Sequence, residues 1–148
     1  MDEILCREAS PADLSGVLRL YAQPDLDDGK TLSSAQAERI YDQMKQYPDF
    51  RVYVCVVAGK IVGTFALLIM RNLAHLGAPS AIVEDVAVDP NCQRKGIGKM
   101  MMQYALKLAT EKGCYKAVLS SNLRRERAHE FYKALGFEHH GYSFRLDL

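Results

Sequence analysis

The sequence has no long hydrophobic run and almost no excess of charge. No stretch approaches the ~18 unbroken apolar residues that a membrane helix requires, so we predict no membrane span. Lysine and arginine number 19 against 18 aspartates and glutamates, which leaves a net charge of +1. Such a balance gives no general attraction to nucleic acid or to an anionic membrane, so we expect neither as a partner. Any basic site must be local.

The N-terminal residues and the cysteines bear on the cellular compartment. The first residues, MDEILCREAS, lack a basic start and a long apolar run, so we expect no secretory signal. The sequence has few cysteines; the 4 present, Cys6, Cys55, Cys92 and Cys114, are widely spaced and form no CxxC pair. This spacing favours reduced thiols in a cytoplasmic protein over a disulfide framework or a zinc site, and we predict no metal.

Length and periodicity predict one α/β domain. With 148 residues, of which 49% are hydrophobic, the chain has the size of one domain and can bury a sizeable core. The predicted elements are a strand at 4–9, a helix at 11–22, a helix from Ser33 or Ser34 to about Tyr47, strands at 51–58, 61–70 and 81–88, a helix at 97–112, a strand at 116–121, a helix closed by Gly136, and a strand pair about Gly141. A helix crosses between the strands at 81–88 and 116–121, so we expect these two strands to be parallel neighbours.

The join between strand 81–88 and the next helix is more basic and richer in glycine than a turn requires. We call its residues 93–98, QRKGIG, the glycine loop. Its amides and the unpaired N–H groups that open the helix point into one space, where the helix dipole adds positive potential. Gly96 and Gly98 let the backbone approach a ligand closely. Arg94, Lys95 and Lys99 add charge, so the pattern predicts a diphosphate site.

Two common diphosphate motifs are excluded by single positions of this loop. Gln93 stands where the Walker pattern needs its first glycine, and Met100 where that pattern needs serine or threonine. Met101 occupies the third glycine position of the dinucleotide fingerprint, where a helix must pack closely on a strand.

The glycine loop resembles the acetyl-CoA loop of the GNAT superfamily of N-acetyltransferases. That pattern is Gln or Arg, two residues, Gly, one residue, and Gly or Ala; the position of Arg94 is often Gly. EDVAVDP at 84–90 is similar to the family's fourth strand, and AHEFYKALGF at 128–137 to its second hallmark. The resemblance implies a single GNAT domain over 1–148, with a mixed, mostly antiparallel sheet flanked by about four helices. Its fourth and fifth strands would be parallel and splayed.

The same resemblance implies which residues bind acetyl-CoA. The backbone of the fourth strand would hold the pantetheine arm, with the Val86 N–H as donor to the thioester oxygen. Asn122 would bridge to pantetheine, although capping the next helix is an equal alternative. The complete set of expected cofactor contacts is Val86, Ala87, Val88, Gln93, Arg94, Lys95, Gly96, Ile97, Gly98, Lys99, Asn122 and Phe131.

Acetyl transfer from a thioester to an amine requires a base for the amine and a proton for the departing thiolate. Tyr132 falls on the position of the family's general acid; plain packing on the apolar stripe of its helix is the alternative. Glu84 and Asp85 are adjacent acids in an apolar strand, where burial raises the pKa of an unpaired carboxyl group. We predict Glu84 as the base and Asp85 as a substrate or structural contact. Satisfaction of either acid by backbone amides is the alternative.

The acceptor amine stays open at this point. EDVAVD and GCYK resemble glucosamine-6-phosphate N-acetyltransferases, and SSNLRRERAHEFY resembles aminoalkylphosphonate N-acetyltransferases. In this family the loops that carry His75 and follow Tyr21 border the acceptor pocket, so both residues are expected substrate contacts.

Two other functions remain open. A protein or peptide N-acetyltransferase would need an acidic groove, for which Asp25, Asp27 and Asp28 are candidates. A non-catalytic acyl-CoA sensor would bind the cofactor without turnover. The resemblance also implies a homodimer formed through the C-terminal strands.

Overall fold

A five-stranded sheet in the order β1-β2-β3-β4-β5 organises most of the chain. The computed structural model describes residues 2–148, which form two units, one that ends at Val118 and one that comprises Leu119–Leu148. The strands are β1 (Ile4–Glu8), β2 (Phe50–Val57), β3 (Lys60–Met70), β4 (Ser80–Val88) and β5 (Lys116–Leu119). The α-helices are α1 (Leu14–Tyr21), α2 (Ser34–Lys45), α3 (Ile97–Glu111) and α4 (Glu126–Ala134).

The pairing of the strands confirms the predicted fold class. β1 to β4 pair antiparallel in sequence order, and β5 lies parallel to β4. The β2–β3 hairpin is confirmed as well, since Val57 lies opposite Lys60 across a two-residue turn. Ala58 and Gly59 both have positive φ, which is the turn geometry that matches the twist of two paired strands.

The first helix begins with a capping arrangement that its sequence encodes. Ser10 precedes a short 3-10 turn, Pro11–Asp13, which runs directly into α1. The Asp13 carboxylate accepts a hydrogen bond of 2.7 Å from the Ser10 amide and pairs with Arg7 at 2.6 Å. These bonds hold the pKa of Asp13 at about 2, mainly through Arg7. The predicted helix at 11–22 is thus this turn plus α1.

Helix α3 packs closely on β3. Gly63 makes this approach possible, because a Cβ on it would overlap the Met101 sulfur and crowd Ile97. Helical spacing predicts core packing for the methionines of α3. Met101 and Met102 are fully buried, but Met100 is exposed, so the prediction is wrong for Met100. The N-terminus of α3, and with it the glycine loop, is therefore fixed against the sheet.

The prediction of reduced thiols is wrong for one pair of cysteines. Cys6 and Cys55 form a disulfide with a Cα–Cα distance of 4.2 Å, while Cys92 and Cys114 are free. The β1–β2 register places the pair directly opposite each other, close to the ~4.5 Å expected where side chains approach across antiparallel strands. Their separation of 49 residues gives no hint of this pairing, because the strand register decides it.

The predicted strand pair about Gly141 is also wrong. Residues 137–148 contain no strand, and Tyr142, Phe144, Leu146 and Leu148 are 81%, 92%, 84% and 117% exposed. The alternation of apolar residues is typical of a strand, but a strand also needs a neighbour for its backbone hydrogen bonds.

Within residues 2–148, no helix combines the length and the apolar character that crossing a bilayer demands.

Candidate active site

A bulge interrupts β4 at Asp85 and Val86, directly after Glu84. Thr64 pairs with Ala87 and Ala66 with Glu84, so two residues of β4 lie opposite Phe65 alone. One of the two, Asp85, has a φ of 54°, well outside the extended region. A bulge takes a backbone segment out of the ladder and redirects side chains. The Val86 N–H, which the family resemblance implies as the oxyanion donor, lies in this segment.

A cavity of about 650 Å³, which we call the α1–α2 cavity, reaches the bulge. Its walls come from α1, α2, the segment that joins them and the sheet, with Asp85 as the β4 contribution. Tyr21, which the family resemblance implies as a substrate contact, is among the residues that line it. Glu84 does not, and neither does His75, which is exposed and lies against Tyr115 with ring centroids 4.4 Å apart.

Glu84 and Asp85, the acids before and within the bulge, both have perturbed pKa values. The pKa of Glu84 is raised, mainly by burial and then by the charge of Asp85. The pKa of Asp85 is raised by burial and then by Asp27. Solvent still reaches both side chains, so each carboxyl group can exchange protons with water. The direction of both shifts suits a group that accepts a proton near neutral pH.

Tyr21 stands in the same electrostatic environment. Its pKa is strongly raised, first by burial and then by the charge of Asp85, while the nearby Thr64 hydroxyl acts in the opposite direction. A further contribution from Asp27 raises it again. Its phenol therefore stays protonated at neutral pH, and it faces the same space as Asp27 and Asp85.

Asp89, at the end of β4, is a positioning residue that the sequence reasoning did not identify. It is 1% exposed, and its carboxylate pairs with Arg19 at 3.0 Å and Lys60 at 3.3 Å. It also accepts a hydrogen bond of 2.9 Å from the Asn91 amide. That amide, followed by Arg19 and Lys60, lowers the pKa of Asp89 despite its burial. Asp89 could have been identified from the sequence as an aspartate that lies directly before a proline at the end of a predicted strand.

The glycine loop has a defined conformation. Arg94 and Gly96 adopt φ values of 66° and 81°, and Gly96 is the N-cap of α3. Within residues 2–148, the amides of Arg94, Lys95 and Gly96 donate to no backbone carbonyl. The positive φ explains why glycine is favoured at both positions, since left-handed backbone is costly for residues with a Cβ.

This loop fits the diphosphate of a cofactor. Its amides are available next to the N-terminus of α3, and nothing lies within 4 Å of a Cβ placed on Gly96. Arg94, Lys95 and Lys99 are exposed and form no ion pair with the described residues. Free amides, unpaired cations and open space together meet the needs of an anionic group.

The remaining expected site residues lie in the Leu119–Leu148 unit. Tyr132 is 8% exposed and packs edge-on against Phe137, with Phe131 tilted beside it. Burial raises the pKa of Tyr132, and the positive charge of Arg125 partly opposes this. Asn122 uses its side chain to accept a hydrogen bond of 2.9 Å from the Arg124 amide in a local turn. It does not cap α4, because the N-cap of that helix is Arg125.

Known proteins share this architecture. The chain matches the Acetyltransferase (GNAT) family over residues 17–137. It belongs to this family. It is 32% identical over 143 residues to the glucosamine 6-phosphate N-acetyltransferase of Trypanosoma brucei brucei, a match that covers 96% of this chain and 94% of the relative. The aminoglycoside N(6')-acetyltransferase type 1 of Stenotrophomonas maltophilia is 27% identical, with 89% and 84% covered.

A solved structure agrees with these relatives. The crystal structure of an acetyltransferase from Trypanosoma brucei has a TM-score of 0.86 and 30% identity, and the match covers 99% of this chain and 100% of that one. The chain is therefore an acetyl-CoA-dependent N-acetyltransferase with the GNAT fold, which confirms the family, fold and cofactor that the sequence predicted.

Arg94 allows the charge of the glycine loop to be separated from its conformation. Arg94→Gly and Arg94→Ala both remove one cation, so we expect each to raise the Kd for CoA by roughly tenfold. Only glycine relieves the left-handed backbone, which costs an L-residue ~1 kcal/mol or more, so Arg94→Gly should unfold at higher urea than Arg94→Ala. Calorimetric CoA titration and urea unfolding followed by circular dichroism measure the two effects.

The control is Lys107→Ala, which removes an exposed cation from the middle of α3. It should change neither the Kd for CoA nor the urea concentration at which the protein unfolds. Equal stability of the two Arg94 variants would contradict the positive φ. Unchanged CoA affinity in both would contradict a cofactor contact by Arg94.

Proposed function

We propose that the protein transfers the acetyl group of acetyl-CoA to the primary amine of a small molecule by direct attack of the amine. The α1–α2 cavity carries this proposal, because it meets the β4 bulge at Asp85. Its volume of about 650 Å³ falls in the ~300–1,000 Å³ range of small-molecule sites. The names of the two relatives, a glucosamine 6-phosphate and an aminoglycoside N-acetyltransferase, support acceptors of this size class.

The cofactor contacts are proposed as the sequence predicts them. Bound acetyl-CoA supplies an activated acetyl thioester and a thiol leaving group. The amides and cations of the glycine loop hold its diphosphate, and the backbone at Val86–Val88 holds the pantetheine arm. The Val86 N–H donates to the carbonyl oxygen on which negative charge develops, and a donor already in place costs no reorganisation during the reaction.

The proton transfers are assigned to two side chains. Glu84 takes the proton of the ammonium through water, since its raised pKa makes it a stronger base than an ordinary glutamate. Tyr132 delivers its phenol proton to the departing sulfur, and its raised pKa keeps that proton in place until then. Asp85 and Tyr21 contact the acceptor. His75 stays a prediction, and its exposed position beside Tyr115 lends it no support.

Tyr132→Phe tests the function directly. The variant lacks the acidic proton but keeps the ring that packs on Phe137, so we expect kcat to fall by ~10²–10⁴-fold with CoA affinity unchanged. Thiol release from acetyl-CoA is followed across a panel of amines, with CoA binding measured by calorimetry. Tyr142→Phe, in the exposed tail, should behave as wild type. Undiminished release in Tyr132→Phe would contradict the role of Tyr132.

The base is tested by the pH dependence of kcat/KM. Glu84 acts in its ionised form, so activity should fall as pH drops through its pKa, which lies above the ordinary 4.5. Glu84→Gln should remove the fall of kcat/KM at low pH. The pH dependence that arises from ionisation of the substrate amine, at higher pH, should remain. Glu38→Gln, on the exposed side of α2, is the control. If kcat/KM of Glu84→Gln still falls at low pH, Glu84 is not the base, and Asp85 becomes the first candidate for that role.

Neither alternative function is favoured. An acyl-CoA sensor would not need a proton donor such as Tyr132. Thiol release with any amine would exclude the sensor function. A protein acceptor would need an open groove, whereas the acids of the 25–28 segment that suggested one include two, Asp27 and Asp28, that line the α1–α2 cavity.

We further propose a homodimer in which the tail of each copy pairs with the other. The exposed alternation Tyr142, Phe144, Leu146 and Leu148 supports it, because such a face is stabilised when a neighbour covers it. Sedimentation equilibrium should give about twice the chain mass of 16.6 kDa, and Phe144→Ser combined with Leu146→Ser should return the monomer. A monomeric wild-type protein would contradict the dimer.

Three other expectations stay predictions. One domain over 1–148 is supported by the family match, which includes residues of both units. The absence of a nucleic-acid partner is supported by the net charge of +1, and a gel-shift assay tests it. A cytoplasmic location loses part of its support to the Cys6–Cys55 disulfide, and trapping of free thiols at lysis tests it.

A further inference from the structure

The charges that line the α1–α2 cavity are one-sided. Asp27, Asp28 and Asp85 contribute carboxylates, and Lys30 is the single basic residue among the described residues of the lining. The relative named for glucosamine 6-phosphate acts, by that name, on a molecule that carries a phosphate. A phosphate dianion in this lining would face more carboxylates than cations, so its electrostatic energy would be unfavourable.

These acids also lack partners within the protein. Among residues 2–148, the side chains of Asp27, Asp28 and Asp85 take part in no ion pair and accept no hydrogen bond. Asp13 and Asp89 show the contrast, because each is paired with an arginine at 3.0 Å or less. The charge in the cavity is therefore available to a ligand.

Asp27 and Asp85 act on the same region of the cavity from different parts of the chain. Asp85 lies at the β4 bulge, and Asp27 follows α1. The charge of Asp27 raises the pKa of Asp85, and both charges raise the pKa of Tyr21. The negative potential is thus concentrated beside the bulge, where the reacting nitrogen must stand.

The rest of the lining is mostly hydrocarbon, and part of it is exposed without an evident packing reason. Leu26, Leu32 and Ile40 line the cavity and are 38%, 41% and 38% exposed. Leu18 and Met44 extend the same wall on α1 and α2. Large apolar side chains that meet in one concave surface are typical of a ligand site, because covering them removes apolar area from water.

We propose that the acceptor is an amphipathic amine: a primary ammonium group on an aliphatic or aryl-alkyl body, without phosphate or carboxylate. This assignment deepens the proposed function and rests on it. The ammonium lies beside Asp27 and Asp85, and the body covers the apolar wall. One proton leaves the ammonium for Glu84 through water. The amine nitrogen then bonds to the acetyl carbon while the C–S bond breaks, and the sulfur leaves with the proton of Tyr132. The second proton of the nitrogen passes to the Tyr132 phenolate, which restores the phenol and leaves a neutral amide. Asp27 sets specificity and does not enter the proton transfers.

The test compares 2-phenylethylamine and hexylamine with glucosamine 6-phosphate by thiol release from acetyl-CoA. We expect wild-type kcat/KM to be at least tenfold higher for the two amphipathic amines. Asp27→Asn should raise KM for 2-phenylethylamine several-fold with kcat nearly unchanged, because a charge that only attracts the amine acts equally in the ground and transition states. Ile40→Asn, a change at a half-exposed position of the apolar wall, should raise the same KM.

Asp25→Asn is the matched control, since Asp25 lies in the same segment but does not line the cavity. It should behave as wild type. A preference for glucosamine 6-phosphate, or a KM for 2-phenylethylamine that Asp27→Asn leaves unchanged, would overturn the amphipathic acceptor while the transferase function stands.

Failure of the proposed function gives a different result, in which no amine elicits thiol release although CoA binds. In that case, calorimetric titration of 2-phenylethylamine into the protein–CoA complex decides the inference by itself. Binding that weakens in Asp27→Asn and Ile40→Asn, but not in Asp25→Asn, supports the amphipathic ligand. An absence of binding overturns it.

Discussion

The buried carboxylate of Asp89 is the interaction on which the rest of the site depends. A charge taken out of water must be matched, and here Arg19 of α1, Lys60 of β3 and the Asn91 amide converge on it. These contacts join α1, β3 and the short turn Pro90–Cys92, which precedes the glycine loop, at the end of β4. Removal of one partner from such a group costs about 3–5 kcal/mol in other proteins. The direction in which the chain leaves β4 is thereby fixed.

The contacts of Asp89 position both halves of the candidate site, the glycine loop and the α1–α2 cavity. On one side the chain enters the glycine loop, whose left-handed residues lead into α3, and α3 is held close to the sheet at Gly63. On the other side, Arg19 holds α1, whose residues form part of the wall of the α1–α2 cavity. The bulge at Asp85 lies between them in β4. The proposed cofactor surface, made largely of backbone, and the proposed acceptor surface, made of side chains, thus meet at one strand.

Local chemistry in the sequence predicted much of this arrangement. The hairpin and the glycine loop were predictable from glycines at positions that favour positive φ, Gly59 and Gly96. The parallel β4–β5 pair was predictable from the order of apolar segments, which indicates a strand, a helix and a strand. The bulge was not, because it depends on the register of β3 against β4. The Cys6–Cys55 pair depends on register in the same way. The cavity needs side chains from α1, α2 and β4 together, although Ala37, Ile40, Tyr41 and Met44 in α2 already showed the stripe that lines it.

The cofactor and the acceptor are specified by different parts of the chain. Backbone conformation at β4 and the glycine loop suits a diphosphate and a pantetheine arm for any acceptor, which is why family resemblance identifies the cofactor well. In our proposal the acceptor is chosen by side chains of the α1–α2 cavity, and Asp27, Asp28 and the apolar wall differ in character from a phosphate site. A fold shared with relatives that act on sugars therefore does not decide the acceptor.

The most direct test of the cofactor site is an NMR titration of the protein with CoA, in which backbone amide shifts are followed residue by residue. If the bulge and the glycine loop bind the cofactor, the largest changes will fall on the amides of Val86, Val88 and Arg94–Lys99, with exposed α2 amides such as that of Glu38 unmoved. Saturable binding with those amides unchanged, and shifts concentrated elsewhere, would contradict the site.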